Sequence, residues 1–249
     1  MKTLKISIAF CVVFSTSFCK TDHSADNPGK AEIFREDFNG SSIDESVWKI
    51  GTWKEHGGQL AKDRCFVKDG NLNMLLVNDK GTILSSAIQT NKQFLYGKWE
   101  ARLKPSAVPG VLNSFFTIDW GNGGDATRQE IDIEFLTFAF GPNKGKVHYA
   151  VHAKGKKSFE TNPDVGLDFN PSDDFHVWGF DITPEHIEWF VDGKTLLVYQ
   201  YAEHDIKIDA PYMLKLNHWT SAKWVQGPPE PGVTSTYLID WIQFTPHKK

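Results

Sequence analysis

The sequence predicts an all-β fold, a sandwich or jelly roll of two packed antiparallel sheets. Three observations lead there. Short segments of alternating or β-branched residues recur along the chain, each bounded by Gly, Pro, Asn or Asp. No stretch holds an apolar period of 3.6 residues over the length a helix needs. No internal repeat is present either, which removes the β-propeller, whose blades would show one. With 249 residues, the chain suffices for one sandwich and is too short for two typical domains once its N-terminus is set aside.

The N-terminus reads as an export signal over residues 1–18. Lys2 and Lys5 precede a short apolar run from Ile6 to Phe14, and small residues follow. Its end has two readings. Ser15-Thr16-Ser17 offers small side chains to a general signal peptidase, whereas Cys19 would carry the lipid of a bacterial lipoprotein, with residues 19–30 as a polar tether. Phe18 is atypical for the second ending. Both readings make the product extracytoplasmic, either secreted or a cell-surface lipoprotein, with residues 31–249 as the folded domain. Cys11 leaves with the signal and Cys19 is removed or lipidated. Cys65 is then unpaired, a small buried hydrophobe, and no disulfide framework exists.

Candidate strands follow at 33–38, 71–77, 82–90, 94–104, 111–119, 129–137, 146–153, 176–182, 187–191, 195–201, 213–219 and 236–244. Asp192-Gly193 between two of them is a strong type I′ hairpin pattern. One helical turn is expected within 39–48. Longer loops fall at 54–64, 121–128, 138–145, 155–173 and 220–235, and such loops can wall a cleft over one sheet face.

The segment with the clearest chemistry is Glu130-Ile131-Asp132-Ile133-Glu134-Phe135. Its strict alternation sends Glu130, Asp132 and Glu134 to one face of a strand and Ile131, Ile133 and Phe135 to the other. Three carboxylates in a row repel one another, and a merely solvated face would interleave Lys, Thr or Ser. Cα atoms four residues apart on a strand are separated by about 13 Å. Two Glu side chains leaning together bring their carboxyls to roughly 5–6 Å, the gap at which a retaining glycosidase works. A shorter Asp between them can hydrogen-bond to one and tune its ionisation. A solvated acidic edge strand and part of a calcium site are the competing readings.

Composition narrows the partners. Nine Trp among 249 residues exceed what one core needs, so some rings should line a surface. The formal charge of −4 and the lack of a Lys/Arg cluster argue against nucleic acid. No apolar run reaches the length of a membrane span, so contact with a membrane would come only through a lipid on Cys19.

The carboxylate segment resembles the motif of glycoside hydrolase family 16, the lichenase, laminarinase and xyloglucan transglycosylase family, in its form without an extra residue. Tyr96-Gly97-Lys98-Trp99-Glu100-Ala101-Arg102, Asn113-Ser114-Phe115-Phe116-Thr117, Phe175-His176-Val177-Trp178-Gly179-Phe180-Asp181, Ile187-Glu188-Trp189-Phe190-Val191-Asp192-Gly193 and Leu216-Asn217-His218-Trp219 are similar to further family segments. The resemblance thus covers nearly all of the mature chain. It implies a concanavalin-like β-jelly roll and retaining, endo-acting hydrolysis of a β-glucan, β-1,3-1,4 or β-1,3. Glu130 would be nucleophile, Glu134 general acid/base, and Asp132 the helper between them. Glu134 must hold a proton, which the charge of Glu130 favours.

The resemblance and strand parity add cleft candidates. Phe116, Asn217, Trp219 and Trp224 match cleft positions, with sandwich core as their alternative. His148 and His152 share a face of the next strand and are balanced between substrate contact and a structural role. Trp53 is a subsite platform or core. Trp99, Trp178, Trp189 and Trp241 are expected in the core. No cofactor is implied for catalysis. A structural Ca²⁺ is implied on the convex face, at Asp240 and the carbonyl of Gly70. Ala87 and Gln89 replace a sugar-binding Glu and Arg of lichenases, Arg128 replaces a Trp, and the lichenase disulfide is missing. Arg128 at the rim would suit an anionic polysaccharide. The expected partner is a polysaccharide, with the chain as a monomer. A transglycosylase, a hydrolase of xyloglucan or a sulfated galactan, and a non-catalytic lectin-like domain are the rival readings.

Overall fold

A computed structural model describes residues 32–248 apart from 56–57, 122–127 and 162–164. The export signal and tether at residues 1–30, Cys19 among them, lie outside the described residues. The strands in chain order are β1 (Phe34–Glu36), β2 (Trp48–Ile50), β3 (Lys54–Glu55), β4 (Gly58–Leu60), β5 (Cys65–Lys68), β6 (Asn71–Asp79), β7 (Thr82–Thr90), β8 (Gly97–Lys104) and β9 (Leu112–Asp119). They continue with β10 (Gln129–Leu136), β11 (Gly145–Ala153), β12 (Phe159–Glu160), β13 (Val165–Leu167), β14 (His176–Ile182), β15 (His186–Val191), β16 (Lys194–Gln200), β17 (Met213–Trp219) and β18 (Thr234–Pro246). Helix is confined to short 3₁₀ turns among the described residues.

Two antiparallel sheets result. One runs β16–β15–β14–β8–β18, and β18 passes on to β1 and to β6, which carries β5. The other runs β2–β7–β17–β9–β10–β11, with β12 and β13 along its edge. β7 links them: its start pairs with β6 and its later residues with β17. This is the jelly roll expected from the strand pattern.

The core lies between the sheets and is aromatic. Trp48, Trp99, Trp178 and Trp189 are fully buried, and rings such as Phe135 against Trp178 meet edge to face at 4.8 Å. Gly179 is required there, because a Cβ would lie 2.2 Å from the Trp99 carbonyl oxygen. The Asp192-Gly193 turn has φ of 48° and 75°, as a type I′ hairpin demands.

Three expectations need correction. Trp241 is not core. Pairing of β18 with β8 slips between Ile239 and Trp241, and this bulge reverses the inward parity. Ser235, Tyr237 and Ile239 point in before it and Ile242 and Phe244 after it. Trp241 therefore sits half-buried on the outer face, under the Arg35 guanidinium at 4.1 Å. Within 39–48 the Asp44 carbonyl accepts from the Val47 and Trp48 N–H groups at 3.1 and 2.9 Å, the i+3 and i+4 bonds of the single helical turn expected there. The loops at 54–64 and 155–173 hold short strands, β3–β4 and β12–β13. Residues 94–96 do not continue β8; Phe94 instead makes an isolated bridge to Tyr212.

Candidate active site

β10 is held on all sides. Its register with β9 and β11 is unbroken from Gln129 to Phe135. Gln129 Nε2 donates to Asp209 Oδ1 at 3.0 Å, and Gln129 Oε1 accepts from the Asp209 N–H at 3.2 Å. Beyond the other end, Thr137 Oγ1 donates to the Val111 carbonyl at 2.7 Å. From behind, the Trp189 indole N–H donates to the Asp132 carbonyl at 3.2 Å. Ile131, Ile133 and Phe135 are fully buried in the core. Alternation then puts Glu130, Asp132 and Glu134 on the opposite face, where all three line a cavity of about 150 Å³.

The sheet register decides what surrounds them. Asp132 is level with Phe116 on β9, which is level with Lys215 on β17 and, through it, Gln89 on β7 and Lys49 on β2. Glu134 is level with Ser114, then Asn217; on its other side stands His148. Phe116, Asn217, Trp219 and Arg128 line the same cavity, so these expected cleft residues converge with the carboxylates, and Ser114, not expected there, joins them.

Asp132 is the most buried of the three acids, at 6 % exposure. Burial raises its pKa well above the carboxylate range, the charges of Glu130 and Glu134 push further, and Arg128 offsets part of this. A hydrogen bond to Glu130 acts in the same upward direction, which makes protonated Asp132 the donor and Glu130 the acceptor. Arg128 Nε lies 3.2 Å from Glu130 Oε2, setting a positive charge against that carboxylate. His152 places Nε2 3.4 Å from Asp132 Oδ2 and bonds Ser158 Oγ through Nδ1 at 2.7 Å. Burial lowers its pKa, so the ring is neutral and orients Asp132.

His148 is buried and meets Trp224 edge-on, with ring centroids 4.8 Å apart. Neither histidine lines the cavity. Trp224 is itself 36 % exposed beside the site. Trp53 lines a second, larger hollow of about 750 Å³ that shares Trp120 and Lys215 with the carboxylate cavity. His218, between Asn217 and Trp219, faces the core, and burial pushes its imidazole down to about 3.

Sequence reasoning passed over Trp120, Lys215, Lys49, Lys54 and Met213, all of which line these hollows. Two signs were present. Lys215 has the same parity as Asn217 and Trp219, and Trp120 follows β9 directly in a chain with surplus Trp.

Asp240, expected at a structural Ca²⁺ site, sets its Oδ2 2.5 Å from Arg102 Nη1. Gly70 is half of the tight turn joining β5 and β6, at φ 71°. Among the described residues, no group of three or more His, Cys, Asp or Glu could hold a metal ion.

Comparison with known proteins decides the family. The model of glycosyl hydrolases family 16 matches residues 53–243. The chain belongs to this family. A beta-glucanase of Paenibacillus macerans is 27 % identical, with 98 % of this chain and 96 % of the relative aligned. The Bacillus licheniformis beta-glucanase structure superposes with a TM-score of 0.74 at 22 % identity, covering 89 % of this chain and 100 % of the other. The catalytic domain of an endo-1,3-beta-glucanase (laminarinase) from Thermotoga petrophila RKU-1 gives a TM-score of 0.73, also at 22 % identity, covering 87 % and 97 %. These two family folds come from proteins with different names, so the fold does not choose the linkage.

Proposed function

We propose that the chain is an endo-acting β-glucanase that cleaves internal bonds of a β-1,3-1,4- or β-1,3-glucan with retention of configuration. The observation that carries this reading is the convergence of Glu130, Asp132 and Glu134 in one cavity on one face of β10. Glu130 is the nucleophile: its carboxylate attacks the anomeric carbon while Glu134 gives its proton to the leaving oxygen. Glu134, now a carboxylate, takes a proton from a water that attacks the same carbon and frees Glu130. Asp132 keeps its proton and hydrogen-bonds Glu130, so it orients the nucleophile without adding a second charge. Trp219 and Trp120 offer rings for sugar faces, and Asn217 offers an amide for a hydroxyl. This chemistry calls for no cofactor.

Glu130→Gln tests the reading. The variant keeps size and fold, should still bind glucan, and should release no new reducing ends from lichenan or laminarin. Residual turnover above about one thousandth of wild type would refute Glu130 as nucleophile. Product masses separate hydrolysis from transfer to a second sugar. As part of the same proposal, residues 1–18 direct export and residues 19–30 tether the catalytic domain. Intact mass of the exported protein, with or without a lipid on Cys19, checks this.

A further inference from the structure

Glu130 and Glu134 are the same residue type on the same strand face, so their opposite roles need a source of asymmetry. Arg128 supplies one. It precedes Glu130 by two residues, continues the outward face of the strand, and sets its Nε 3.2 Å from Glu130 Oε2. Its backbone is held: the Arg128 carbonyl accepts from the Lys154 N–H at 3.0 Å, and the next residue, Gln129, is clamped to Asp209. The guanidinium lines the cavity together with the three acids. Along an extended strand the Arg128 Cα lies about 7 Å from that of Glu130 and about 20 Å from that of Glu134. The second distance is more than twice the screening length at about 0.15 M salt. This cation therefore favours charge on Glu130 and scarcely acts on Glu134.

We infer that Arg128 is a positioning residue that assigns the two roles: it keeps Glu130 the carboxylate, leaves the proton to Glu134, and sets the acid edge of the working pH range. Its part rests on the reading of the cleft as a hydrolase site, to which it adds the group that polarises the acid pair. The other groups around the pair stand evenly between the glutamates or do not favour charge on Glu130. On β10, Asp132 is midway and can donate to either one; its hydrogen bond goes to Glu130, the anion beside Arg128. On β11, His152 is level with Glu130 but neutral and turned to Asp132, while His148 is level with Glu134. Glu160 on β12 acts on His152. On β9, uncharged Ile118 and Phe116 are level with Glu130 and Asp132, and Asp119 at the strand end accepts from the Gly121 N–H. Lys215 on β17 is level with Phe116 and hence with Asp132, two strands and about 10 Å away, so it does not distinguish the glutamates.

Carboxyl titration tests this without relying on turnover. Carbon NMR spectra of labelled side-chain carboxyls are followed from about pH 3 to about pH 9 in wild type, Arg128→Gln and Arg128→Lys. Signals lost in Glu130→Gln and Glu134→Gln assign the two glutamates, and melting temperature reports the folding of every variant. In Arg128→Gln the Glu130 midpoint should rise by about half to one pH unit, a size suited to a pair whose side chains are 38 % and 16 % exposed. The Glu134 midpoint should move by less than about half as much. Arg128→Lys should restore most of the difference, and the gap between wild type and Arg128→Gln should shrink from about 50 mM to about 500 mM salt. The acid limb of kcat/KM on lichenan should move up by the same interval, about a three- to tenfold loss on that limb. An unmoved Glu130 midpoint, or equal movement of both glutamates, would overturn the inference. So would a shift that neither Lys nor salt reverses, since that marks a change of shape rather than of charge, and so would an acid limb that stays put while the midpoint moves. Midpoints that move as stated in a protein that releases no reducing ends at any pH sink the hydrolase and leave the charge on Glu130 assigned.

Discussion

Replacing Asp132 by Asn should stabilise the protein increasingly as pH rises. Burial, Glu130 and Glu134 hold the Asp132 pKa well above its ordinary range against the smaller opposing pull of Arg128. In the unfolded chain the same side chain loses its proton near pH 4. Above that pH the unfolded state has released a proton that the folded state retains, so rising pH favours unfolding. The cost grows by about 1.4 kcal/mol per pH unit for as long as folded Asp132 stays protonated. Asn is neutral, nearly isosteric and still donates a hydrogen bond toward Glu130, so it removes the linkage and keeps the packing. For a domain of this size, about 1.4 kcal/mol corresponds to roughly 3–5 °C in melting temperature. Melting curves of both proteins at intervals from about pH 4 upward should show the Asp132→Asn advantage widening by that amount per unit, then levelling once folded Asp132 ionises. A difference independent of pH, or one shrinking as pH rises, would mean that Asp132 is charged in the fold and would refute the assignment of its proton.

The remaining predictions concern the frame. Because Arg102 occupies the Asp240 carboxylate, neither Ca²⁺ nor a chelator should move the melting temperature by more than about 1 °C, well under the effect of losing a site at saturation. Cys65 is buried, and burial pushes its thiol up to about 12. It should therefore react with a thiol reagent only on unfolding, and rapid modification of the native protein would contradict that burial. Trp189→Phe removes the hydrogen bond to the Asp132 carbonyl and part of a core ring. It should cost about 2 kcal/mol in denaturant melts and lower kcat more than it changes KM, since the strand carrying the acids loses its rear support.

The sequence made some of this legible for definite reasons. Glu130, Asp132 and Glu134 were readable because a strand converts strict alternation into a shared face. Hairpin geometry at Asp192-Gly193 was readable because few residues accept those backbone angles. Trp241 was misread because a single added residue in β18 reverses parity, and nothing local to the sequence announces the bulge. The lysine hollow went unseen for another reason. Lys49, Lys54 and Lys215 are scattered along the chain, and only the β2–β7–β17 pairing gathers two of them in one row. Short strands such as β3, β4, β12 and β13 carry too few residues to show a period. The pairing of Arg102 with Asp240 across β8 and β18 is likewise invisible in either segment alone.

The central claim is that Glu130 becomes covalently glycosylated while Glu134 handles the proton. Glu134→Gln, mixed with a dinitrophenyl β-glucan disaccharide, tests it most directly: the activated leaving group departs without acid help, and the missing base stalls release. Intact mass should rise by one disaccharide, and peptide mapping should place the sugar on Glu130. A label on another residue, or no label together with a product of inverted configuration, would contradict the account.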